Sequence, residues 1–154
     1  MKARDVMITQ VYKVKESDTV RTVVETFIEH GISGVPVVNE ANKIVGYISD
    51  GDIMRFLGAD DLSVMDLIAY TWYPLVPEEH HESLEEKTSR LLSLNVMELA
   101  RKKPVTVDSE AEVEEIAALL GKKRIKKLPV EQDGALVGII SRGNVVRQVF
   151  KQFI

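Results

Sequence analysis

Val35-Pro36-Val37-Val38, a polar turn, and then Ile44-Val45-Gly46-Tyr47-Ile48-Ser49-Asp50-Gly51-Asp52 form the stretch on which the fold depends. It returns as Leu128-Pro129-Val130, then Leu136-Val137-Gly138-Ile139-Ile140-Ser141-Arg142-Gly143-Asn144. Each copy reads as an apolar strand, a turn, a second apolar strand, and a Ser-x-Gly-Asp or Ser-x-Gly-Asn corner opening a helix. Self-similarity at a fixed spacing marks a duplicated structural unit.

The match extends outward from this stretch. Val14 aligns with Val107, Val20 with Val113, Ile32 with Ile125 and Pro36 with Pro129. Beyond the turn, Gly46 aligns with Gly138, Ser49 with Ser141, Gly51 with Gly143 and Arg55 with Arg147. The offset is 93 residues before the turn and 92 after it, so the second copy has lost one turn residue. Val6-Met7 and Val96-Met97 read as matching lead-in segments.

Val11 to Val14 reads as a strand, and Val20, Val23, Val24, Phe27 and Ile28 follow at the spacing of an amphipathic helix. Ser17 or Asp18 is expected to cap that helix and Gly31 to end it. A second helix is expected from about Gly51 to Leu57, with Ile53, Met54, Phe56 and Leu57 apolar. In the second copy Pro104 to Val107 is the first strand. Ser109-x-x-Glu112 reads as a capping box, and Val113, Ile116, Ala117 and Leu120 as the apolar stripe. The division is therefore 1–57 for the first repeat, 58–95 for an inserted helical and loop segment, and 96–154 for the second repeat. Within the insertion, Leu62 to Tyr70 reads as helical, Pro74 and Pro77 interrupt it, and Ser83-x-x-Glu86 caps a further helix carrying Leu84, Leu91, Leu92 and Leu94.

The 154 residues are enough for one domain with a real core, and 45% apolar content is ordinary for a globular chain. No apolar run approaches the ~20 residues of a membrane span. The segment Met1 to Val6 lacks the apolar stretch of a secretory signal. The chain has no cysteine, which removes disulfides, thiolate metal sites and cysteine nucleophiles and fits a cytoplasmic setting. A net charge of -4 argues against general nucleic-acid binding.

The two copies resemble the CBS domain, and their tandem arrangement resembles a CBS pair, or Bateman module. Gly31 to Val38 with Gly46 to Asp52 carry the resemblance in the first copy, and Ile125 to Val130 with Gly138 to Asn144 in the second. The resemblance implies an α+β fold of two βαββα units about a pseudo-twofold axis, with two clefts between them. It also implies homodimers and adenosine-containing ligands: AMP, ADP, ATP or S-adenosylmethionine.

The family's Ser/Thr-x-x-Asp pattern fits Ser49 and Asp52. One carboxylate can accept from both hydroxyls of a ribose, Gly51 permits close backbone approach, and a helix N-terminus favours anions. The same four residues are also a helix cap, and the two roles can coexist. Gly34 and Val35 are placed beside this corner by the resemblance. In the second copy Ser141 remains, but Asn144 replaces the acid and loses the charge-assisted bond. Lys126 and Lys127 stand where the family often has basic phosphate contacts; the first copy has Ser33 and Gly34 there. One composite site follows as an expectation: Asp52 and Ser49 for ribose, Lys126 and Lys127 for phosphate, and Arg142 as a weaker phosphate contact. A solvated basic face is the competing reading of Gly121 to Lys127, above all for Lys122 and Lys123.

Other candidates carry less. Glu78-Glu79-His80-His81-Glu82 matches no metal-ligand spacing and reads as a polar loop. His30 ends a helix, where a cation suits the dipole. Trp72 and Tyr73 read as packing or interface aromatics. No nucleophile-base-acid set and no Gly-rich phosphate loop is present; the Ser49 and Asp52 corner inside a CBS-like repeat implies a non-enzymatic, ligand-sensing regulator without a required cofactor. A ligand-free oligomerisation scaffold, with an unidentified protein partner, is the alternative. An enzyme or metal protein using His80 and His81 is a distant third.

Overall fold

The computed structural model describes residues 1–59, 71–72, 82–122 and 124–154. The expected helix from Leu62 to Tyr70, the prolines at 74 and 77, Tyr73, Glu78 to His81 and Lys123 lie outside the described residues.

The elements are α1 (Ala3–Val6), β1 (Val14–Lys15), α2 (Val20–His30), β2 (Gly34–Val38), β3 (Ile44–Ser49), α3 (Asp50–Gly58), α4 (Leu84–Ser93), a 3-10 turn (Val96–Glu98), β4 (Val107–Asp108), α5 (Val113–Leu120), β5 (Lys127–Gln132), β6 (Ala135–Ser141) and α6 (Arg142–Phe150). This is the expected α+β pair of repeats. Each forms a three-stranded sheet, β1-β2-β3 and β4-β5-β6, in which the first pairing is parallel and the second antiparallel. The registers repeat too, with Val14 opposite Val37 and Val107 opposite Val130. Gly34 stands opposite Ser49, and Lys127 opposite Ser141.

The lead-in segments are exchanged between repeats. Ala3 N donates to Ala111 O at 2.9 Å, and Ile8 pairs with Ile139. Reciprocally, Val96 N donates to Asp18 O at 2.9 Å, and Arg101 pairs with Tyr47. The apolar cores follow the same exchange. Ala3 and Val6 pack with Val107, Ile116, Leu128, Val130 and Ile140, while Val96 and Ala100 pack with Val14, Val23, Val35, Val37 and Ile48. Burying these side chains together ties the two repeats at about 1.5–3 kcal/mol per large aliphatic group.

Helix α4 belongs physically to the first repeat. Its Leu91 is buried with Val20 and Ile53, and Phe27, Phe56 and Leu57 pack around them. Ser83 caps α4 as expected, its hydroxyl accepting from Glu86 N at 3.1 Å. Arg90 makes a two-point contact with Glu82, which holds that carboxyl below the usual range.

Several local expectations are corrected. The first strands are shorter than their apolar runs, because only Val14–Lys15 and Val107–Asp108 meet a partner strand. Helix α2 starts after Thr19, and the Asp18 carboxylate accepts from Lys15 N at 2.8 Å, closing the strand end instead of capping the helix. Gly31 does end α2, with φ 60°. The Ser109-Glu112 box does not form: Glu112 itself precedes α5, and its carboxylate pairs with Lys2. Ile28 is 79% exposed, so it lies off the buried face of α2, and Ala117 is exposed on α5. The His30 ring stacks on Tyr12, with centroids 3.8 Å apart.

Candidate functional site

The corner after β3 is built by backbone geometry first. Ser49 is extended and Asp50 opens α3, so the side chains of Ser49 and Asp52 face one another. Asp52 Oδ2 accepts from Ser49 N at 2.8 Å and from Ser49 Oγ at 3.2 Å. Asp52 Oδ1 is paired with Arg55. The second corner repeats the arrangement with an amide: Asn144 Oδ1 accepts from Ser141 N at 2.9 Å and from Ser141 Oγ at 2.7 Å. Both corners therefore cap helices.

Only the acidic corner opens on the cavity of about 580 Å³ between the repeats, a volume in the range of small-molecule sites. The first repeat contributes Ser33, Tyr47 and the turn from Ser49 through Asp52, with Arg55. The second contributes Arg101, Pro104 and Val105, then Arg124 through Lys127, with Pro129. Exchange of the lead-in segments is what delivers Arg101 to this wall, since its backbone pairs with Tyr47 in both directions at 2.8 and 3.0 Å.

Tyr47 defines the floor. Its hydroxyl sits where a side chain on Gly34 would project, so only glycine leaves room for the ring. Burial, with the neighbouring carboxylates of Asp50 and Asp52, pushes its pKa up to about 12, and the phenol keeps its proton across the physiological range. The lining thus combines an apolar part (Tyr47, Pro104, Val105, Ile125 and Pro129) with a hydrogen-bonding and charged part.

Of the residues singled out in the sequence, Ser49, Asp52, Lys126 and Lys127 are brought together. Gly34 supports Tyr47 without lining the cavity, and Val35 is fully buried in the sheet. Ser141 and Asn144 stand at the other corner. Arg142 is spent on backbone: its guanidinium donates to Leu120 O at 2.7 Å, Lys122 O at 2.9 Å and Ile125 O at 3.3 Å. It fastens the loop after α5 and so positions Arg124 to Lys127. The cavity also includes Tyr47, Asp50, Arg55, Arg101, Pro104, Val105 and Arg124, which were not expected there. Repeat comparison gave one clue to them, the match of Arg55 with Arg147. Trp72 is 76% exposed. Among the described residues no group of three or more His, Asp or Glu side chains is placed to hold a metal, and no helix is long and apolar enough to cross a membrane.

Comparison with known proteins gives a consistent picture. The sequence model of the CBS domain matches residues 3–59 and 96–151. The chain is 33% identical to the CBS domain-containing protein CBSX1, chloroplastic, of Arabidopsis thaliana over 140 residues, covering 89% of this chain and 58% of that protein. It is 30% identical to protein MJ1426 of Methanocaldococcus jannaschii over 154 residues, covering 95% and 89% of the two chains. Against the longer plant relative, the chain spans less than two thirds of the length. Among solved structures, CBSX2 in complex with AMP superposes with a TM-score of 0.72 at 26% identity, covering 99% of this chain and 98% of that one. CBSX2 from Arabidopsis thaliana superposes with the same TM-score at 28% identity, covering 99% and 96%.

Proposed function

The chain belongs to the CBS domain family as a tandem pair, and from that premise we propose that it is a regulatory module sensing an adenine nucleotide in the cleft beside Asp52. One observation carries the reading: a single cavity gathers the Ser49 and Asp52 corner of one repeat with Arg124, Lys126 and Lys127 of the other. The apolar lining suits a base, the carboxylate suits ribose hydroxyls, and the cations suit phosphate. A related structure holding AMP supports the same ligand class. S-adenosylmethionine fits less well, because its sulfonium would meet cationic walls. The module acts by binding; ligand affinity that differs between two packings of the repeats is the physical basis of regulation. A cytoplasmic setting, a homodimer and a regulated protein partner belong to the same proposal. The exposed apolar Val146, Phe150 and Phe153, on and just beyond α6, support a subunit contact.

Isothermal calorimetry with AMP, ADP, ATP and S-adenosylmethionine tests the reading. Saturable binding abolished by Asp52→Ala supports it, and no heat at millimolar ligand defeats it.

A ligand-free scaffold is the second reading, favoured by the full engagement of the Asp52 carboxylate with Ser49 and Arg55. Thermal melts separate the two. A nucleotide at 100 times its Kd adds about 2.7 kcal/mol to a binder, and a scaffold melts unchanged.

A further inference from the structure

The charge of the cleft runs against the charge of the chain. The protein carries a net charge of -4, yet Arg55, Arg101, Arg124, Lys126 and Lys127 line one cavity against two carboxylates, Asp50 and Asp52. Arg55 is neutralised by Asp52. Among the described residues, no acidic side chain pairs with Arg101, Arg124, Lys126 or Lys127. The Asp50 carboxylate is turned to its own helix start, accepting from Gly51 N at 2.8 Å.

For Arg101 and Lys127 the duplicated architecture shows that the fold does not need a cation. At the offset of 93 residues, Arg101, Arg124, Lys126 and Lys127 correspond to Ile8, Gly31, Ser33 and Gly34. The strand pairings make two of these correspondences structural: Arg101 faces Tyr47 as Ile8 faces Ile139, and Lys127 faces Ser141 as Gly34 faces Ser49. At these two positions the same backbone pairing holds with no charge in one repeat and with a cation in the other. Clustering like charges costs energy unless an anion relieves it.

We infer that the cleft selects a ligand with two or more phosphates, a nucleoside di- or triphosphate, over the monophosphate. This rests on the proposed nucleotide-binding role and adds the class of ligand. A single phosphate monoester carries about -1.5 to -2 charges, which with the Asp50 carboxylate still leaves about one of the four cations uncompensated. A longer phosphate chain reaches more of them. Each added charge-assisted bond in a partly dry cleft strengthens binding more than a neutral one. The preference comes from Arg101 and Arg124 as well as the lysines, so the second repeat chooses the phosphate chain while the first holds the sugar.

The experiment is calorimetric titration of the full chain with adenosine, AMP, ADP, ATP and inorganic triphosphate, in metal-free buffer at two salt concentrations. Affinity is expected to rise from AMP to ATP by about tenfold or more, with ATP binding the more salt-sensitive. The double variant Arg124→Ala/Lys126→Ala, both exposed positions whose loss leaves the core intact, should narrow the gap between ATP and AMP and leave adenosine unchanged. AMP binding as tightly as ATP overturns the inference and leaves the nucleotide-sensing role standing. Triphosphate binding without any adenosine compound overturns that role and retains the polyphosphate site. A gap undiminished in the double variant overturns the assignment to these residues, and silence from every probe overturns both.

Discussion

Arg55 lies one turn along α3 from Asp52 and pairs with its Oδ1, while Oδ2 of the same carboxylate accepts from Ser49 N at 2.8 Å. The cap and the cleft therefore use different oxygens. A ribose held by Asp52, as proposed, would compete with Arg55 and not with the helix start. The Arg55 side chain is 70% exposed and that of Asp52 13%, so the ion pair is open to solvent from the arginine side only.

Asp52→Asn separates the two roles. Asn144 already shows that an amide makes the same cap, at 2.9 and 2.7 Å. The variant should melt within about 0.5 kcal/mol of the parent. It should bind nucleotide at least about tenfold more weakly, because the charge-assisted acceptor is lost. Calorimetry and a denaturant melt on one preparation check both halves.

Asn144→Ala should do the reverse. It removes a buried cap that serves Ser141, at a cost of about 1 kcal/mol. Nucleotide affinity at the Asp52 cleft should stay within about twofold, since Asn144 does not line that cavity. A larger loss than that of Asp52→Asn would place the site at the other corner.

Gly34→Ala should destabilise by about 1–3 kcal/mol, since the new methyl meets the Tyr47 ring and hydroxyl. Adding Tyr47→Phe removes the closest atom and should recover part of the loss. A double-mutant cycle on denaturant midpoints measures the coupling, and strict additivity would show that the ring moves aside freely.

Alkaline pH should expose Tyr47. Its folded pKa of about 12 lies above the ordinary tyrosine value of 10.0, so the folded state holds this proton more tightly than the unfolded chain. The stability it contributes is complete below pH 10 and is lost as pH climbs toward 12, amounting to at most about 2–3 kcal/mol. Tyr47→Phe should flatten that part of the stability curve, with circular-dichroism melts across the window as the readout.

Leu91→Ala should cost about 2–5 kcal/mol, because Leu91 is 2% exposed between α2 and α3. A loss below about 1 kcal/mol in urea melts would mean that α4 is only loosely docked.

The duplicated βαββα order, the sheet registers and the two corners were legible because alternating apolar runs and the Ser-x-Gly punctuation act locally. Ser49, Asp52, Lys126 and Lys127 came from the resemblance to the CBS pair. Arg101 did not, because its place depends on the pairing with Tyr47, a contact between segments 54 residues apart. Comparing copies also hid it, since its counterpart is the apolar Ile8. Arg142 misled for a related reason: a cation at a helix start looks available until the carbonyls of Leu120, Lys122 and Ile125 are seen to occupy it. Ser109 and Glu112 had the right spacing for a cap, but Lys2 from the chain start takes the glutamate. In each failure a distant segment outcompeted a sound local pattern.

The two β-hairpin turns, whose unequal length shifts the repeat offset, also touch each other. Ile44 N donates to Gly134 O at 3.1 Å, Leu136 N to Asn42 O at 2.9 Å, and Asn42 Nδ2 to Leu136 O at 2.9 Å. This is a clasp between repeats at the start of β3, while the Ser49 corner stands at its end. A strand of that length spans roughly 20 Å. With the clasp at its start and the Tyr47 pairing to Arg101 near its end, the strand is fastened to the second repeat at two points along its length. A shift of one repeat against the other would have to break both fastenings at once.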